Sequence, residues 1–198
     1  MQAVMKADVD LGAKGLRRRL TKASKRALTL IEGAMVLGLF AFIVGAAMYY
    51  YGQSNTNRQV TNGLGELASI QQAVRSLYGG QSSFTGIGNA ALTDTAALPK
   101  KMVMSSGNIR SSFGGAVTVA AANAGGGTGS GFSVTFAAVP QEACSKMAVQ
   151  DLGRGLYSVR AGSVTKSASN TANPPPFTPT EAISACGAST NTIVWTFN

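Results

Sequence analysis

Hydrophobic positions first mark out one long apolar segment near the N-terminus. Residues 33–51 contain no charged side chain. At about 1.5 Å per residue this run covers roughly 28 Å as a helix, close to the ~30 Å hydrocarbon core of a membrane. The run ends in Tyr49, Tyr50 and Tyr51, residues of the kind enriched at membrane–water interfaces. The pattern therefore predicts one membrane-spanning helix.

A single apolar stripe follows this segment. Apolar side chains recur every three or four positions, at Val60, Leu64, Leu67, Ile70, Val74 and Leu77. This spacing is typical of one face of an α-helix. We therefore expect a helix over residues 28–78, whose second half is amphipathic and packs against a globular head.

The rest of the chain alternates between strand and helix signals. Short runs rich in Val, Thr and aromatic residues predict strands at 116–120, 132–137, 156–160 and 193–197. Helices are predicted at 140–152 and 178–187, the second beginning with a capping box from Thr178 to Glu181. Residues 79–112 are expected to form a long loop with one helical turn, and 161–176 an exposed surface loop.

These elements predict an α+β fold. A long N-terminal helix, membrane-spanning and then amphipathic, is expected to pack on an antiparallel β-sheet head. Cys144 and Cys186 are the only cysteines, and each falls on a predicted short helix. Two cysteines in an exported protein commonly pair, so we predict one disulfide; two free buried thiols are the alternative.

Composition narrows the possible chemistry. The chain has no His, which excludes His-ligated metals and His-dependent nucleophilic catalysis. Its net charge is +9, and residues 1–27 hold eight basic and two acidic side chains, or +6. Most of the net positive charge therefore lies in residues 1–27, a leader that favours a cytoplasmic N-terminus. We expect no catalytic residue, no metal site, no cofactor and no direct nucleic-acid binding.

One carboxylate, Glu32, lies at the start of the apolar helix. An ionised side chain beside hydrocarbon is costly unless a cation pairs with it. One interpretation is that lipid headgroups solvate Glu32 at the interface. The other is a specific partner: if the chain is cut between Ala27 and Leu28, Glu32 becomes the fifth residue, about one helical turn from a new amino group.

The basic leader, the run Leu28-Thr29-Leu30-Ile31-Glu32 and the apolar helix together resemble the processing site of type IV pilins. This resemblance implies cleavage by a prepilin peptidase between Ala27 and Leu28, and N-methylation of Leu28. It also implies that Glu32 meets the terminal amine of a neighbouring subunit during assembly. Ala27 stands where the family almost always has Gly. The length of the leader and the Leu at the new N-terminus resemble the type IVb branch.

Parts of the head resemble the bundle-forming pilins of that branch. The matching stretches are residues 80–86, 113–115 and 178–186. The resemblance implies that a disulfide, here Cys144–Cys186, encloses a C-terminal region displayed on the filament. It also implies three parts of the chain: a leader (1–27), a membrane and filament-core helix (28–52), and an amphipathic helix with its head (53–198).

The function expected from this resemblance is that of a major pilus subunit. Its partners would be further copies of itself in a helical homopolymer, the prepilin peptidase, the inner-membrane assembly machinery, and the surface of a host or recipient cell. It would lie in the inner membrane before assembly and in an extracellular filament afterwards, for adhesion, aggregation or conjugative contact. The alternatives are a single-span, membrane-anchored periplasmic protein and a minor pilin or pseudopilin.

Overall fold

A computed structural model describes residues 30–52, 54–104 and 106–198 of the chain. The chain separates into two compact units, Met1–Gln53 and Ser54–Asn198. The first helix, α1 (Gln2–Tyr78), contributes to both, and each unit is described below by itself. The predicted helix over residues 28–78 lies within α1.

In the first unit, the described part of α1 has no packed face. Every described residue from 30 to 52 is exposed, and the segment from Leu30 onward is long and apolar enough to cross a membrane. A helix that is apolar all round needs lipid or other protein around it, because water solvates such a surface poorly.

In the second unit, the last turns of α1 pack on a sheet through the predicted stripe. Leu67, Ile70 and Val74 are buried, as is Val60, while Leu64 and Leu77 are partly buried against the same core. The prediction of an amphipathic half is confirmed. Helical spacing alone located this face because residues three and four apart lie on one side of a helix.

The sheet has six antiparallel strands in the order β1-β2-β3-β6-β4-β5. Their bounds are β1 Ile109–Arg110, β2 Ala116–Ala122, β3 Gly131–Pro140, β4 Leu156–Ala161, β5 Val164–Ser167 and β6 Thr190–Phe197. The four predicted strands correspond to β2, β3, β4 and β6, which are the longer ones. β1 and β5 were not predicted, since strands of so few residues have too little alternation to detect.

Three further helices complete the head: α2 Asn89–Asp94, α3 Gln141–Ala148 and α4 Pro179–Ala185. Helix α3 ends earlier than the predicted residue 152. The carbonyl of its last residue, Ala148, accepts a hydrogen bond from the N–H of Phe177 at 3.2 Å, so a distant segment helps to terminate the helix. The capping box at the start of α4 is present as predicted.

The core lies where α1, α2, α3 and α4 meet the sheet. Aromatic rings form its centre: Phe132 lies 5.2 Å from Phe84 and 5.4 Å from Phe197, measured between ring centroids. Phe136 meets Trp195 edge-on at 5.4 Å. Aromatic pairs in these arrangements add roughly 0.5–1.5 kcal/mol each beyond the burial of their area.

One disulfide joins α3 to the end of α4. It links Cys144 to Cys186, whose Cα atoms lie 5.9 Å apart, and both cysteines are fully buried. The predicted α+β fold with a long helix, an antiparallel head and one disulfide is therefore confirmed. The bond closes the chain between two elements that are 42 residues apart in sequence.

The segment at 161–176 is only in part the exposed loop that its composition predicts: residues 168–176 contain no helix or strand and are mostly exposed, but the first part differs. It contains β5, which pairs with β4 from Ala161↔Val164 to Ser158↔Ser167. The Lys166 side chain is 6% exposed and its Nζ lies 2.7 Å from Oε2 of Glu181. The same Nζ lies 5.4 Å from the centre of the Phe177 ring. A buried cation is tolerated there because it has both a carboxylate and an aromatic face as partners.

Glu181 connects this buried lysine to the start of α4. Its Oε2 also accepts hydrogen bonds from the Thr178 N–H at 2.8 Å and the Thr178 hydroxyl at 2.6 Å. The hydrogen bond from Lys166, followed by the two from Thr178, lowers the pKa of Glu181 from 4.5 to about 2. Donors that favour the charged form have this effect. The strand β5 and the helix α4 are thereby joined beside the disulfide.

The disulfide is expected to stabilise the head. Cys186→Ser should lower the free energy of unfolding by roughly 2–4 kcal/mol, since the loop it closes is long. Chemical denaturation of oxidised wild type and variant, followed by Trp195 fluorescence, measures the difference. Reduction of the wild type should reproduce the loss. Equal stability of the oxidised wild type and the variant would contradict this role.

The Lys166–Glu181 contact predicts how stability responds to acid. The pKa of Glu181 in the folded protein, about 2, lies below its ordinary value of 4.5. The stability that the ionised Glu181 adds to the fold is therefore fully present above pH 4.5. It is lost as the pH falls from there through about 2. Lys166→Met should raise the pKa of Glu181, which carbon NMR of its carboxyl group can follow. Lys146→Met, which breaks the exposed pair with Glu142, is the control and should leave the pKa of Glu181 unchanged.

Candidate assembly site

The candidate site in the first unit is the apolar surface of α1. Its large apolar side chains between Leu30 and Tyr51 are 49–78% exposed, and they point in all directions around the helix. Soluble proteins rarely leave so large an apolar surface uncovered, and such surfaces mark contact with a membrane or with other proteins. The surface is suited to cover by lipid or by identical helices.

Glu32 is the only charged side chain among the described residues 30–52, and it is exposed. It precedes Tyr49 by 17 positions, or about 26 Å along the helix. The carboxylate and the tyrosine rings therefore stand at opposite ends of a segment about as long as the hydrocarbon core is thick. A carboxylate in this position is available to a cation that arrives from outside the chain.

Two predicted site residues, Ala27 and Leu28, lie outside the described residues. Their proposed roles in cleavage and N-methylation rest on the sequence pattern around them. Glu32 belongs to the described part of α1, and its role in assembly stays a prediction.

Small residues interrupt the apolar surface at regular intervals. Gly38, Gly45 and Gly52 follow one another at steps of seven, so they fall near one side of the helix. A Cβ built on any of them would meet no atom within 4 Å. Glycine at such positions lets another helix backbone approach closely. The space is free for that approach in this chain.

The head presents a separate feature beside the disulfide. A shallow hollow of about 320 Å³ lies between α3 and α4, and its lining consists of Ser145, Lys146, Val149, Gln150, Pro179 and Ile183. Ile183 is 61% exposed. Cys144 lies in α3 and Cys186 directly follows α4, so the disulfide links the two helices beside this hollow.

The described residues show no group of three or more side chains able to hold a metal ion. A buried carboxylate, Glu66 on α1, instead accepts hydrogen bonds from the Ser112 N–H at 3.0 Å and the Ser112 hydroxyl at 3.3 Å. Both bonds attach the turn after β1 to α1. Glu66 therefore has a structural role. Sequence analysis missed Glu66, although it lies four positions before the buried Ile70 on the predicted stripe.

Comparison with known proteins gives concordant results. The family model described as Bundlin matches residues 53–198. Two curated relatives are named "Major structural subunit of bundle-forming pilus", one from Escherichia coli O111:H- and one from Escherichia coli O127:H6 (strain E2348/69 / EPEC). Each is 31% identical to this chain over 176 residues, which cover 84% of this chain and 90% of the relative.

A solved structure agrees with the sequence matches. The crystal structure of a type IV b pilin from Salmonella typhi is 27% identical to this chain and superposes with a TM-score of 0.53, covering 72% of this chain and 99% of that one. The family model covers more than half of the chain, and the curated relatives align over most of their length. This chain therefore belongs to the bundlin family, and its resemblance to type IVb pilins is confirmed.

Proposed function

We propose that this chain is the major structural subunit of a type IVb pilus. The observation that carries the proposal is the uncovered apolar helix with its single carboxylate, attached in sequence to a disulfide-closed head of the bundlin family. Its relatives are named as the subunit of a bundle-forming pilus. The filament would serve adhesion, aggregation or conjugative contact.

The apolar helix has two successive environments in this proposal. Before assembly, lipid covers it and the chain lies in the inner membrane. After assembly, identical helices cover it in the core of an extracellular filament. Because lipid and neighbouring helices are similarly apolar, the gain on assembly comes from close packing, which the glycines at 38, 45 and 52 permit.

Glu32 gives this assembly a direction and a register. Cleavage between Ala27 and Leu28 creates an α-amino group on each mature subunit, and Glu32 of a neighbour is its partner. Leaving a carboxylate unpaired in an apolar bundle is costly. A subunit is therefore stable in the filament only at the axial position that brings the two charges together.

The partners follow from these steps. A prepilin peptidase cuts and methylates Leu28, and assembly machinery in the inner membrane adds subunits to the base of the filament. The heads cover its outside and meet a host or recipient cell. No step requires catalysis by this chain.

The processing steps can be tested by mass. Protein from the envelope and from sheared extracellular filaments should begin at Leu28, carry an N-terminal methyl group, and be lighter by about 2 Da for the two hydrogens lost in the disulfide. An uncut chain confined to the envelope would contradict the proposal and favour a membrane-anchored protein.

Glu32→Val tests the charge pairing. The variant is more apolar, so it should insert into the membrane and be cleaved normally, but extracellular filament yield should fall at least about tenfold, the effect of losing roughly 1.4 kcal/mol per contact. Immunoblots of sheared and envelope fractions measure the yield. Glu142→Gln, at an exposed carboxylate of the head, is the matched control and should assemble. Wild-type yield from Glu32→Val would exclude this role.

Ala27→Gly tests the cleavage site. Gly is the residue that the family has before the cut, so conversion of precursor to mature chain should be at least as fast as in the wild type. Pulse labelling follows the conversion, and N-terminal sequencing locates the cut. Ala27→Val, which adds bulk at the same position, should slow the conversion. If Ala27→Gly is cut more slowly than the wild type, the site is placed wrongly.

A further inference from the structure

The outer edge of β2 is only partly covered by another strand. β1 pairs with β2 at Ala116 and Val117 alone, whereas β2 continues to Ala122. Past that point, the part of the chain that the structure describes places no strand on the outer side of β2. Backbone N–H and C=O groups at such an edge are ready to pair with a strand of another molecule.

The side chain of Asn89 lies at this edge. Its Nδ2 donates a hydrogen bond to the Val117 carbonyl at 2.8 Å, and its Oδ1 accepts one from the Val119 N–H at 2.8 Å. One residue of a parallel strand makes the same two bonds, to the C=O of one residue and the N–H two residues further on. The side-chain amide of Asn89 therefore takes the place of the N–H and C=O of one residue in a neighbouring parallel strand.

Buried neighbours hold Asn89 at the edge. It is the first residue of α2, and the buried side chains of Ile87 and Leu92 lie on either side of it in sequence. The N–H of Ile87 donates to the Phe84 carbonyl at 3.2 Å, and the N–H of Phe84 donates to the Gly129 carbonyl at 2.9 Å. The amide is thus presented from a segment that the core itself fixes.

β2 has none of the other features that usually keep edge strands apart. Its seven residues contain no charge, no Pro and no Gly, and Thr118, Ala120 and Ala121 are exposed. Natural edge strands are commonly guarded by lysine, proline or a bulge. An uncharged strand of Ala, Val and one Thr, with small exposed side chains, would accept a second strand without steric or electrostatic hindrance.

We propose that Asn89 closes the edge of β2 against strand pairing with a second copy of this chain. The second copy is the relevant partner because it carries the same uncharged strand, so two open edges are complementary to each other. The inference goes beyond the proposed function and does not depend on it, since it concerns the head alone. By occupying these backbone groups, Asn89 limits the sheet to its six strands.

Asn89→Ala in the full-length chain in detergent micelles tests the inference. The Val119 amide should exchange its hydrogen at least about tenfold faster, because it loses its hydrogen-bond acceptor, while the Val134 amide inside the sheet stays protected. Light scattering at increasing protein concentration should show more self-association than in the wild type. The apolar helix is the same in both proteins and contributes equally.

Two further variants sharpen the comparison. Asn123→Ala removes another asparagine that accepts two backbone hydrogen bonds, from Gly125 and Gly127 in the β2–β3 loop, and it should not increase self-association. Asn89→Asp retains the acceptor for Val119 but places a negative charge at the edge. It should loosen the edge without promoting self-association, because like charges on two copies repel.

Specific results would overturn the proposal. Unchanged exchange at Val119 in Asn89→Ala would show that the amide does not protect the edge. Faster exchange with no more self-association than Asn123→Ala would show that the open edge does not attract a second copy. If Asn89→Ala does not fold, hydrogen exchange in the wild type decides: a Val119 amide that exchanges as fast as an amide of an unstructured chain would show that Asn89 does not protect the edge.

Discussion

The apolar surface of α1 is the constraint on which the rest of the proposal depends. Its large side chains are exposed around the whole helix, and water cannot cover them without a large free-energy cost. Only lipid or other apolar helices satisfy this segment. A single carboxylate, Glu32, adds a second constraint on the proposed assembly, because the described part of the segment contains no cation that could pair with it. Membrane insertion followed by polymerisation meets both.

The head is held together by links between segments that are distant in sequence. Its helices α3 and α4 carry a buried disulfide, and the buried Lys166 connects β5 to the start of α4 through Glu181. Both links join segments that are distant in sequence. Because hydrogen bonds from Lys166 and Thr178 lower the pKa of Glu181 to about 2, this ion pair stays charged at pH values where ordinary carboxylates are protonated.

Both edges of the sheet have features that limit pairing with a strand of another molecule. If the subunits polymerise through the apolar helix, as proposed, pairing between their sheets would compete with that assembly. At one edge, β1 and the amide of Asn89 satisfy successive groups of β2. At the other edge, β5 has only four residues, and short edge strands offer little backbone for pairing.

Features that depend on neighbours along the chain could be predicted without the structure. Helical periodicity gave the buried face with Leu67 and Val74, and the spacing of Thr178 and Glu181 gave the capping box, because both arise from local helix geometry. The family pattern around Leu28 gave the expected processing site. Tertiary structure alone decided the roles of Lys166, Glu66 and Asn89. Their partners lie at least 15 positions away in sequence, and polar side chains with no periodic pattern acquire meaning only when folding brings such partners together.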